Sequence, residues 1–61
     1  MPLFADDNER KQALLTGSAA ALHALISAGH PIATPEERTD AIAQAHETAL
    51  EFIRLMERIA K

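Results

Sequence analysis

Ala28-Gly29-His30-Pro31, followed closely by Thr34-Pro35-Glu36-Glu37, decides how this chain folds. The first four residues read as a helix end. Glycine takes the left-handed conformation that closes a helix, and a proline soon after forbids its continuation. The second four read as a helix start. Thr34 can accept from the amides of the first turn, Glu37 can reach back to the Thr34 amide, and Pro35 suits the first helical position. Glu36 and Glu37 also lie where the positive helix end favours acids.

Working outward, the spacing predicts one helix over about 6–28, begun by a cap at Asp6 or Asp7. A turn over 29–34 follows, then a second helix over about 35–60. So short a turn can only send the chain back alongside itself. Residues 1–61 are therefore expected to form a single all-α domain, an antiparallel two-helix hairpin. There is no internal repeat and no low-complexity tract beyond a bias to alanine.

On a wheel of about 100° per residue, Glu36, Asp40, Gln44, Glu47, Glu51, Arg54 and Arg58 fall in one arc of the second helix. The remaining apolar arc is about 220° wide, against roughly 100° for a helix with one neighbour. Leu50, Phe52, Ile53, Leu55, Met56 and Ile59 crowd its second half. The stretch expected opposite them is Asp7-Asn8-Glu9-Arg10-Lys11-Gln12, which cannot cover them, although Leu3 and Phe4 can fold over Met56 and Ile59. These six apolar residues are the expected interface, because surplus apolar surface of this kind marks an association site. The expectation is a two-fold dimer, a four-helix bundle with the second helix as its central seam.

The first helix carries Leu14, Leu15, Ala19, Leu22, Leu25 and Ile26 as one apolar stripe. It is expected to pair Leu22 with Ala41 and Ile42, Ala19 with Ala45, and Leu15 with Ala49. Ala13, Gly17, Ala20, Ala21, Ala24 and Ala28 are then left on the back. That back is either a second close-packing face or an alanine-rich solvent face, so dimer and tetramer both remain open.

Of 61 residues, 48% are hydrophobic, but there are two Phe and no Trp, Tyr or Cys. Large core-building rings are scarce, and neither a disulfide nor a thiolate metal site is possible. From Ala13 to Gly29 no residue is charged, yet the run is too short and too polar for a membrane span. Met1-Pro-Leu-Phe-Ala has no basic n-region, so no signal peptide is expected. The reading places the chain in the cytoplasm.

The chemistry-bearing residues are few. His46 lies within the apolar arc and is expected to face Thr16-Gly17-Ser18. A catalytic Ser–His pair needs an orienting acid and an oxyanion hole, and the sequence offers neither a placed acid nor a glycine-rich loop. Ser18 and His46 are therefore read as a buried or interfacial polar layer that helps fix register. His23 is expected near Asp40 on the surface, and His30 in a solvated loop. Separated His residues with outward Glu residues make no metal or di-iron pattern. No cofactor, metal or catalytic residue is expected, and no enzymatic activity.

Arg10, Lys11, Arg54 and Arg58 gather at the open end, among acids that match them. With a net charge of -3, phosphate binding lacks its usual driving force. In outline the hairpin resembles the small plasmid copy-number regulators of the Rop type, whose dimeric four-helix bundles bind paired RNA loops. That resemblance is one of architecture. It implies a nucleic-acid-binding regulator gripping phosphates through these four cations. The composition and apolar arc favour instead a non-enzymatic module that binds itself and another protein.

Overall fold

The computed structural model describes residues 2–60. They form two helices packed against each other, α1 (Asp7–Ser27) and α2 (Pro35–Ile59), in an antiparallel hairpin. No strand occurs among them. The hairpin is a slim rod, 43 Å long and 20 by 15 Å across.

Each helix end has the partners its sequence supplies. Asp6 stands in extended backbone and its side chain accepts from the Glu9 amide at 2.8 Å. At the other end of α1, the His30 amide donates to Leu25 O at 3.0 Å and the Gly29 amide to Ile26 O at 3.0 Å. That pair of bonds is the Schellman closure, and it needs the left-handed φ of 97° found at Gly29. Thr34 and Glu37 form the full capping box. The Glu37 amide donates to Thr34 Oγ1 at 3.1 Å, and the Thr34 amide to Glu37 Oε1 at 2.9 Å. Arg38 ties the turn down by donating to the carbonyls of Ile32 and Ala33. Asp6, Ala28 and Ala60 thus act as caps rather than as helical residues.

The seam is built from methyl groups. Ala41, Ala45, Ala49 and Ile53 are the buried residues of α2, spaced every four positions. On α1 the half-buried residues fall in two rows of the same spacing: Arg10, Leu14, Ser18, Leu22, and Ala13, Gly17, Ala21, Leu25. The α2 row lies as a ridge in the groove between them, the fit of four-residue rows on both helices. A methyl group placed on Gly17 would stand 3.4 Å from Ala49 Cβ, so the two backbones run close together.

This arrangement corrects the expected rotation of α1. Leu15 does not meet Ala49. It is 73% exposed, and Gly17 takes its place. Ala13, Gly17 and Ala21 belong to the seam and not to the back. The physical reason is the alanine ridge of α2. It fills little volume, so α1 presents its small side to bring the backbones together and keep the ridge in van der Waals contact. Near the turn the expected pairing holds, with Leu22, Ala41 and Ile42 lining one small cavity.

Candidate interaction surface

A ridge made mostly of alanine leaves many of the large apolar residues outside. Leu15, Ile26, Ile32, Ile42, Phe52, Leu55 and Ile59 are each at least 40% exposed. They fall on both broad sides of the hairpin, because a narrow seam hides neither.

On one side an open groove of about 750 Å³ runs between the helices at the open end. Ala13, Gly17 and Ala21 contribute from α1, while Thr48, Phe52 and Met56 contribute from α2. Leu3 and Phe4 close its end, as expected for Met56, but Ile59 stays 67% exposed and uncovered. On the other side a groove of about 470 Å³ is lined by Leu14, Leu15, Leu22 and Ile42, with Lys11 and His46 also on its wall.

The six expected interface residues divide. Phe52, Leu55 and Ile59 are exposed, and Leu50 and Met56 are half-buried. Ile53 is only 5% exposed and ends the intrachain ridge, so it is not available to a partner. A helical wheel alone does not say which part of a wide apolar arc α1 covers.

The Ser18–His46 layer does not form within the hairpin. His46 is exposed, and Ser18 Oγ is buried without a hydrogen-bond partner. The rotation of α1 that brings Gly17 onto Ala49 sets both residues at the same groove without joining them.

His30 and His23 exchange the expected roles. His30 Nε2 lies 3.2 Å from Asp40 Oδ2, and its Nδ1 lies 2.9 Å from the Pro31 carbonyl oxygen. Gln44 donates to the same Asp40 oxygen at 2.8 Å. Gln44 Nε2 also lies 3.4 Å from His30 Nε2, so His30, Asp40 and Gln44 form one polar cluster beside the turn. His23 is exposed. His30 directly follows the closing glycine, and Asp40 and Gln44 share one side of α2 four residues apart.

At the open end Arg10 grips Glu57 with two parallel hydrogen bonds of 3.1 Å. This hydrogen bonding raises the Arg10 pKa above its ordinary value. Partial burial opposes the shift, and the charges of Glu57 and Asp7 add to it. Lys11, Arg54 and Arg58 stand exposed. The four cations thus do not form one open patch, since Arg10 is clamped across the hairpin.

Among the described residues no group of three or more His, Asp or Glu side chains is placed to hold a metal ion. Among the same residues no helix is long and apolar enough to cross a membrane. Comparison with protein-family models, curated proteins and solved structures gives no match to this chain.

Proposed function

We propose that the chain is a non-enzymatic protein–protein interaction module that works as a homodimer, two hairpins joined in a four-helix bundle. One observation carries this reading. The hairpin exposes 4705 Å², whereas a compact monomer of its 6.6 kDa mass exposes about 3,900 Å². The excess of roughly 800 Å² is what one partner contributes to an interface of standard size. It includes the large apolar side chains that a solitary hairpin leaves in water. Both grooves are open and almost wholly apolar, which suits a packed side chain better than a polar substrate.

Light scattering on a sizing column, over a dilution series, tests the reading. A mass of two chains is the expected result, and one chain at every concentration overturns self-association. The remaining apolar face then serves a different protein, and a pull-down with the assembled bundle looks for it. The phosphate-binding alternative has less support, since Arg10 is held by Glu57. It would displace the proposal if RNA or DNA bound at low salt and Arg54→Glu with Arg58→Glu abolished binding.

A further inference from the structure

Two apolar rows of α2 part company at Ala45. One steps by four, through Ala41, Ala45, Ala49 and Ile53, and is the ridge buried against α1. The other steps alternately by three and four, through Ala45, Thr48, Phe52, Leu55 and Ile59. That second spacing averages three and a half residues, the repeat at which one helix lies along another in a coiled-coil seam. Within the hairpin it meets nothing of the kind. Phe52 is 63% exposed, Leu55 47% and Ile59 67%. No residue in the row is charged.

Thr48 and Phe52 of this row line the larger groove, with Leu55 and Ile59 beyond its lining, so the face carries both a projection and a trough. Phe52 projects beside a trough to which Gly17 and Ala21 contribute no bulk. A two-fold contact requires a projection and its receptacle on one patch, because each copy must supply both. The opposite face is less suited, because its exposed Leu15 and Ile42 come from different helices and make no row along one of them. The larger groove has a charged edge, Glu9, but on α1 and not in the row. The surplus surface of roughly 800 Å² is what one partner contributes to a single interface of standard size.

We infer that a second copy of the chain docks on the face carrying Phe52, Leu55 and Ile59, the α2 helices side by side. Phe52 enters the second copy's trough, and the Leu15–Ile42 face stays outside. This rests on the self-association proposed above and specifies where it occurs.

The test compares substitutions on the two faces, with the dimer dissociation constant read by dilution. Phe52→Glu should weaken the dimer at least about 100-fold, because a central aromatic anchor is lost twice in a two-fold contact. Leu15→Glu should change it by less than about 3-fold, as for a site outside the interface. Spin labels at Thr48→Cys and, separately, Ala19→Cys give a second readout that does not depend on the Phe52 variant folding. Both residues are exposed, one beside each groove. The label at 48 should show the shorter distance between copies. A dimer with the shorter distance at 19, or one broken by Leu15→Glu and not by Phe52→Glu, overturns the choice of face while self-association stands. A monomer at all concentrations overturns both.

Discussion

Gly17 and Ala49 set the separation of the two helices: a methyl group on Gly17 would rest 3.4 Å from the Ala49 methyl. That distance is the near edge of ordinary contact. It makes position 17 sensitive to side-chain volume in a graded way. Gly17→Ala fills the gap and gains helix propensity, so it should stabilise the protein by about 0.5–1 kcal/mol. Gly17→Leu drives the helices apart and should cost about 1–3 kcal/mol. Urea denaturation followed by circular dichroism reads both, and a destabilising Gly17→Ala would show that the backbones need to be closer still.

The same substitution at Gly29 should act with the opposite sign. Nothing lies within 4 Å of a methyl group placed there, but the backbone has a φ of 97°. The cost is conformational and amounts to about 1–2 kcal/mol. A thermal midpoint unchanged by Gly29→Ala would mean that the closure of α1 can be made in another way.

Both glycines show how far the sequence could be read. Gly29, Pro31, Thr34 and Glu37 act through local bonds with fixed offsets, so the helix ends and the hairpin were legible. Gly17 acts across the seam. α1 is apolar on nearly every side, with a leucine stripe and a small-residue row each repeating at helical spacing. Which one turns inward depends on the ridge facing it, and no wheel of α1 alone contains that information. His30 was missed for the same reason. Its partners Asp40 and Gln44 lie across the turn, and the bond depends on how α1 enters it. The apolar excess on α2 was legible as an excess, but its division into a row for α1 and a row left outside was not.

Thr34→Ala removes the side-chain acceptor for the Glu37 amide. An expected loss of about 1 kcal/mol follows from the usual value of such a cap. Glu37→Ala leaves that acceptor in place and should lose less. Equal losses would show that the two halves of the capping box act as one unit, a result that the double variant would confirm.

Ser18 offers a substitution that should raise stability. Its hydroxyl oxygen is buried beside apolar neighbours with no hydrogen-bond partner. Ser18→Ala relieves this and improves helix propensity, and a gain of about 1 kcal/mol is expected in chemical denaturation. A loss instead would reveal that the assembled protein supplies the hydroxyl with a partner.

Glu57→Gln weakens the clamp on Arg10. The thermal midpoint should fall at low salt, and the difference from the parent should shrink as salt is added, because exposed charges are screened. The pH dependence on the arginine side follows from its raised pKa. A base held more strongly in the folded state contributes fully below its unfolded pKa and loses that contribution only as pH rises through the folded one. For Arg10 that window lies in strongly alkaline solution. Its contribution should therefore stay level from neutral pH to pH about 10, as midpoints measured across that range would show.

The methyl-lined ridge of α2 has a calorimetric consequence. Prising α1 from α2 uncovers four buried residues, Ala41, Ala45, Ala49 and Ile53, whereas Leu14, Leu22 and Leu25 across the seam are already partly in water. The heat capacity of unfolding grows with the apolar area newly hydrated, so separating the two helices of one hairpin carries a small increment and a shallow temperature profile. A sharp melting endotherm from this chain would have to draw its enthalpy from contacts beyond the ridge.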